Sequence, residues 1–239
     1  MHHASRLPRR SLDTTPWPGQ DGLMDRILEP EYMDTQAEAQ EYDAMDHVAA
    51  NESVLARFLE IGGGRGRAVD LGTGPGHIPV LIARARPEAR IVAVDAAQTM
   101  LDLARERVDQ AGLADRITLQ QANVRDLPFG DDSFDEVFSN SILHHIPDPL
   151  DFLREAWRVL VPGGVLLIRD LFRPASEDQA WALVDEHAAG ASDCQRQLLF
   201  DSLHAALTLE EARSTVAEVG MSGASVEMSS DRHYTIECH

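Results

Sequence analysis

Residues 68–80 read AVDLGTGPGHIPV, with glycines at 72, 74 and 76 directly behind an apolar run. Glycines at this spacing let a ligand approach the backbone, because no β-carbon stands in its path. Two chemistries suit such a loop: a pyrophosphate on the N-terminus of the following helix, or a ligand with no phosphate at all. Two neighbouring residues separate them. The dinucleotide pattern G-x-G-x-x-G wants a third glycine where strand and helix pack closely, and that place is His77. Asp70, two positions before the first glycine, suits a cationic group such as an α-amino group and would repel a pyrophosphate.

Asp95 closes the run RIVAVD, where a carboxylate can accept hydrogen bonds from both hydroxyls of a ribose. The same residue can cap a helix over 97–110, and the two roles are compatible. Candidate proton acceptors near the strand ends are His144 and His145 in LHHIPDP, Asp170, and His233 from the tail. Packing or capping competes with catalysis for the two turn histidines. The other histidines show no ligand spacing, so no metal site is expected. Cys194 and Cys238 stand alone and read as free thiols.

Elements that would position these residues follow from periodicity. Strand-like runs occupy 67–71, 90–94, 116–120, 134–139 and 164–170. Helical faces alternate with them: Ile78, Leu81, Ile82 and Ala85; Met100, Leu101, Ala104 and Val108; Leu150, Leu153, Trp157 and Leu160. Asp148 caps the third of these, with Pro149 in its first turn. Residues 34–60 and 175–206 look helical, and TLEE at 208–211 opens a helix that Gly220 ends. Segments 224–228 and 233–237 close the sheet as an antiparallel pair. Alternating strands and helices with short apolar strands predict a mostly parallel α/β sheet covered on both faces. In such a sheet ligands bind beyond the carboxyl ends of the strands, which is where the glycine loop lies.

Charge narrows the partners. The 239 residues carry 21 basic side chains, all arginine, against 40 acidic ones, a net charge of −19. Such a chain repels polyphosphate and anionic lipid surfaces, which argues against nucleic acid as partner and against membrane binding. No apolar run approaches the roughly 20 residues of a membrane span. The first twenty residues lack the apolar core of a secretory signal. They read as a disordered leader over 1–24 of a soluble, cytoplasmic protein.

Several motifs occur together in register over 67–172. They are D-x-G-x-G-x-G at 70–76, the acid after strand two, LPF…SFD leading into strand four, LHHIPDP after it, and RVLVPGGVLLI. This set resembles class I S-adenosylmethionine-dependent methyltransferases, and most of all the group of small-molecule and ubiquinone/menaquinone-biosynthesis enzymes. The resemblance implies a Rossmann-like, seven-stranded, mostly parallel sheet with an antiparallel C-terminal strand. It implies a helical lid over 25–60, containing AQEYDAM, ahead of a cofactor-binding domain over 61–239. Carried over, Asp70, Gly72, Thr73, Gly74 and Gly76 surround the methionine part of the cofactor. Asp95 holds the ribose, and Ala96 and Met100 line the adenine. Asn123 replaces the family's usual aspartate at the adenine amino group, beside the Val124 backbone. Ser139 and Asn140 lie against the reactive methyl. Tyr32 and Tyr42 are candidates to cover the cofactor or to face the acceptor, with plain helix packing as the competing role.

The implied reaction is in-line methyl transfer to a small-molecule acceptor, by a monomer or homodimer. Two alternatives are a cofactor-binding protein of the same fold without methyl transfer, and a nicotinamide-dependent oxidoreductase. His77 and Asp70 argue against the second.

Overall fold

The computed structural model describes residues 24–29, 43 and 48–239. Residues 1–23 of the expected leader, and 30–42 and 44–47 of the expected lid with Tyr32 and Tyr42 among them, lie outside the described residues. Seven strands form one sheet: β1 (Arg67–Leu71), β2 (Arg90–Asp95), β3 (Ile117–Gln121), β4 (Phe134–Asn140), β5 (Leu160–Leu171), β6 (Ser225–Met228) and β7 (His233–Cys238). Their order is β3-β2-β1-β4-β5-β7-β6. Only β7 runs against the others, pairing antiparallel with both β5 and β6. The expected mostly parallel sheet with an antiparallel C-terminal strand is therefore what forms.

Alternating side chains on β1 divide the core. Ala68 faces a cluster built with α1 (Val48–Glu60), α2 (His77–Ala85) and the end of α3 (Gln98–Gln110). Val69 and Leu71 face the opposite cluster, covered by α4 (Pro149–Val159) and α7 (Leu209–Val219). A third, smaller cluster joins Met24 and Leu171 to α5 (Glu177–His187) and α6 (Asp193–Ala205). The order reverses at β1 and β4, so the loops after these two strands splay apart at the carboxyl edge and leave room for a ligand.

Sequence periodicity located the helices better than their faces. The α3 face of Met100, Leu101, Ala104 and Val108 is buried as expected. On α2, Val80 and Ala83 are buried while Ala85 is exposed, because a helix wedged between sheet and α1 buries a broader arc than one stripe. On α4 the buried residues are Phe152, Leu153, Ala156 and Val159, about one position round from the expected stripe. Residues 175–206 form two helices rather than one, since Ser192 starts α6 with a reciprocal capping box to Gln195. Asp148 caps α4 through Leu150, and Thr208 with Glu211 caps α7, both as expected.

One buried acid fixes the lower end of the sheet, away from the glycine loop. Glu136 on β4 is 3% exposed, and its carboxylate accepts from the backbone N–H groups of Gly64, Arg65 and Gly66 at 2.7–2.9 Å. These donors have no other fixed partner, so losing the carboxylate leaves three N–H groups buried or half-buried and unsatisfied. Glu136→Ala is expected to lower stability by about 3 kcal/mol while leaving ligand affinity at the opposite edge unchanged. Urea unfolding with parallel ligand titration checks both halves.

Candidate ligand site at the carboxyl edge

The glycine loop is held open by backbone bonds. After β1, the N–H groups of Gly72 and Thr73 both donate to Val94 O, at 2.9 and 2.8 Å. Gly72, Gly74 and Gly76 have φ of +77°, +53° and +78°, where a side chain is strained. Each glycine nevertheless has its own reason. A β-carbon at 72 would overlap Ile142, and one at 76 would come within 3.0 Å of Ala104 on α3. At Gly74 a β-carbon would meet nothing within 4 Å. Gly72 and Gly76 thus serve protein packing, and Gly74 faces open space. Gly76 takes over the close-approach task that the dinucleotide pattern gives to its third glycine.

Asp95 ties the first two strand ends together. Its Oδ2 accepts from Gly74 N at 2.8 Å and its Oδ1 from Ala97 N at 2.9 Å. It does not cap α3, whose N-cap residue is Ala97. Each carboxylate oxygen keeps a second lone pair, so the loop-binding role leaves acceptors over for a ligand. Ala96 follows half-buried, and Met100 is buried beside Ala97. Asn123 is exposed, and its Oδ1 accepts from Arg125 N at 2.9 Å to close a turn; Val124 is buried in the core.

Asp70 is the electrostatic centre. It is 2% exposed, and burial followed by the nearby Asp95 charge pushes its pKa up to about 7. Thr73 lies close enough to offset part of that push, yet its buried Oγ1 makes no aligned hydrogen bond. Among the described residues, a buried acid without a cation, an unsatisfied hydroxyl and an open glycine lie within four residues of one another. That set fits a ligand carrying an ammonium group.

His77 has a task that the glycine pattern did not foresee. Its Nε2 lies 2.8 Å from Asp43 Oδ1, and Arg107 of α3 donates to both oxygens of the same carboxylate at 2.8 and 3.1 Å. Arg107 also donates to Pro75 O. Asp43, next to Tyr42 in sequence, is thereby tethered over the start of α2.

The other half of the edge follows β4 and β5. Ser139 is buried and its hydroxyl donates to Leu71 O at 2.7 Å, so it braces β1 against β4. Asn140 Oδ1 accepts from Arg169 at 3.1 Å, and Arg169 in turn lies 2.9 Å from His233 Nδ1. Burial, then Arg169 and Arg232, drive His233 down to a pKa of about 3. The turn Leu143–His145 brings His144 Nδ1 to 2.7 Å from Asp170 Oδ1. Asp170 is 1% exposed and also accepts from Leu143 N and Leu171 N. Its oxygens are taken up by these protein donors, and through one of them its charge acts on His144. Burial opposes charge on His144, but Asp170 outweighs it and holds the pKa above the usual histidine value. His145, stacked on His144 with ring centroids 4.2 Å apart, is pushed down to about 3 by burial and by the His144 charge.

Two residues with no sequence signature complete this half. Arg26 donates to the carbonyls of Ala205, Pro147, Ile146 and His144. That fork straps segment 24–29 across the histidine turn and sets Glu29 Oε2 3.2 Å from His145 Nδ1. Single carboxylates and arginines more than 100 positions from the turn carried no spacing that pointed to it.

The shifted Asp70 makes a stability prediction. Unfolded, this acid ionises near 3.8; folded, it does so at about 7, so the native state binds the extra proton between those values. The penalty is absent below pH 4, grows through pH 4–7 and is full above. Asp70→Asn is therefore expected to stabilise the ligand-free protein by about 2–4 kcal/mol at pH 8 and by little at pH 4. Thermal unfolding across that pH range checks it, and a constant difference at all pH values would contradict it.

Comparison with known proteins agrees with this geometry. Residues 69–168 match the family described as "Methyltransferase domain". The chain is 31% identical over 193 residues to the biotin biosynthesis bifunctional protein BioHC of Teredinibacter turnerae, covering 77% of this chain and 32% of that protein. It is 34% identical over 110 residues to the ubiquinone/menaquinone biosynthesis C-methyltransferase of Geotalea daltonii, covering 46% of this chain and 47% of that protein. The chain thus spans less than half the length of either relative. Its fold matches the crystal structure of a SAM-dependent methyltransferase from Aquifex aeolicus with a TM-score of 0.63 at 18% identity, covering 85% of this chain and 97% of that one. Residues 69–168 therefore form a methyltransferase domain of that family, within a fold shared with an S-adenosylmethionine-dependent methyltransferase.

Proposed function

We propose that the protein transfers the methyl group of S-adenosylmethionine to a small-molecule acceptor. The observation that carries this reading is the buried Asp70, which has no cation beside it among the described residues, next to the open Gly74 and a Thr73 hydroxyl with no partner among them. Bound there, the cofactor supplies a methyl group on a positively charged sulfur.

The residues of this chain then have the following tasks. Asp70, in its ionised form, pairs with the ligand ammonium, and Thr73 Oγ1 gains the partner it lacks. Asp95 spends one lone pair on each side on Gly74 and Ala97 and offers the remaining ones to ribose hydroxyls. Ala96 and Met100 flank the adenine, and Val124 with Asn123 meets its edge. Ser139 and Asn140 form the wall towards the acceptor. The protein contributes mainly alignment and exclusion of water. Where the acceptor arrives protonated, His144 accepts the proton at Nε2, because its Nδ1 is engaged by Asp170. Asp170 is then a positioning residue.

Segment 25–60 is read as the lid, with Asp43 anchoring it through His77 and Arg107 and Tyr42 covering the cofactor. A net charge of −19 favours a small acceptor over nucleic acid. Among the described residues no helix is long and apolar enough to cross a membrane. The same reading takes the protein as cytoplasmic and as a monomer or homodimer.

Calorimetry with S-adenosylmethionine, S-adenosylhomocysteine and NADH tests the proposal. The first two are expected to bind one per chain, and NADH not at all. Asp95→Ala is expected to weaken S-adenosylmethionine at least tenfold, about 1.4 kcal/mol. Binding of NADH alone, or unchanged affinity in a folded Asp95→Ala protein, would reject it.

A further inference from the structure

Beside the acceptor wall, three side chains from two distant segments converge on one point. Glu29, His144 and His145 each offer one ligand atom, and these atoms all lie within 4.8 Å of one another. Glu29 Oε1 and His145 Nδ1 are buried and have no hydrogen-bond partner among the described residues. Glu29 Oε2 stands 3.2 Å from the same Nδ1 without an aligned bond. At that distance a carboxylate oxygen and an imidazole nitrogen are bridged either by a proton on the nitrogen or by a metal ion. The separation is also close to the edge of a tetrahedron whose ligands stand ~2.0–2.1 Å from a metal ion.

The third ligand is already oriented. His144 Nδ1 is held by Asp170 at 2.7 Å, which leaves Nε2 as the ring nitrogen it can offer. A carboxylate behind the non-ligating nitrogen is the usual support of a metal-bound imidazole. Asp170 is itself fixed by Leu143 N and Leu171 N, and Arg26 clamps the carbonyls of the turn that carries both histidines. The cluster therefore has a ligand set, a supporting shell and a rigid frame. The other acid–histidine group, Glu186, His187 and Asp231, is wholly exposed and has no such frame.

We infer that Glu29, His144 and His145 form a binding site for a divalent cation of the zinc, cobalt or nickel class. Two imidazoles and one carboxylate suit such ions better than magnesium or calcium, which prefer oxygen ligands. Three protein ligands leave one coordination position for water or an acceptor oxygen, as in open rather than closed metal sites. The inference rests on the proposed function only in placing the cluster beside the acceptor. An ion at His144 Nε2 competes there with the proton that His144 would otherwise accept.

The test uses the full chain with His2, His3 and His187 changed to alanine, which removes the adjacent N-terminal pair and the exposed acid–histidine group as competing sites. Zn2+ is titrated calorimetrically and Co2+ by visible absorption, with S-adenosylhomocysteine affinity measured on the same samples. One equivalent of Zn2+ and a tetrahedral Co2+ spectrum are expected. Glu29→Gln and His145→Ala should each weaken Zn2+ at least tenfold, and Asp170→Asn by roughly 10–100-fold. S-adenosylhomocysteine affinity in Glu29→Gln and His145→Ala should stay within about twofold of the parent. The inference is overturned if no stoichiometric Zn2+ binds, or if Glu29→Gln, folded by circular dichroism, binds it as tightly as the parent. Loss of S-adenosylhomocysteine binding in the parent chain would instead reject the proposed function, whatever Zn2+ does.

Discussion

A carboxyl group buried at the end of β1, with no cation beside it among the described residues, is the constraint around which the carboxyl edge is built. Burying a charge without a partner is costly, and Asp70 meets that cost by holding its proton up to about pH 7. A side chain kept in that condition destabilises the empty protein and favours any ligand that brings a positive group. The flanking residues are consistent with this. Gly74 leaves space, Thr73 leaves a hydroxyl unsatisfied, and Asp95 spends half its lone pairs on keeping the loop in place. In the proposed reading the cofactor completes a local charge balance that folding alone leaves open.

The acceptor half is organised differently. There the buried acid, Asp170, has its partners within the protein, and its charge is used to orient His144. Two carboxylates at the ends of β1 and β5 thus have opposite environments, one uncompensated and one satisfied. Segment 24–29 joins this half through the four carbonyl bonds of Arg26, and Asp43 joins the cofactor half through His77 and Arg107. Residues 24–29 and Asp43 are therefore fastened at the two halves of the edge, as the proposed cover over the site requires.

Much of this was legible in the sequence because it is local. Gly72, Gly74, Gly76, Asp70 and Asp95 belong to turns whose chemistry depends on near neighbours, and the strand and cap signals around them are strong. What was not legible came from tertiary packing. The Ile142 and Ala104 contacts that explain two of the glycines join segments up to 70 positions apart. His77 read only as a missing glycine until Asp43 was seen against it. Glu29 and Arg26 have ordinary sequence surroundings, and only the strap across the histidine turn gives them a role. Asp170 read as a possible base because its burial, which makes it a support for His144, has no sequence signature.

The carboxyl edge depends most on the state of Asp70, whose titration can be followed directly. Carbon-13 NMR of the Asp70 carboxyl, in protein alone and saturated with S-adenosylhomocysteine, reads the two pKa values. A value near 7 is expected without ligand, falling below the normal carboxylate range once the ligand ammonium is in place. An ordinary value near 4 in the free protein, or no change on saturation, would contradict it.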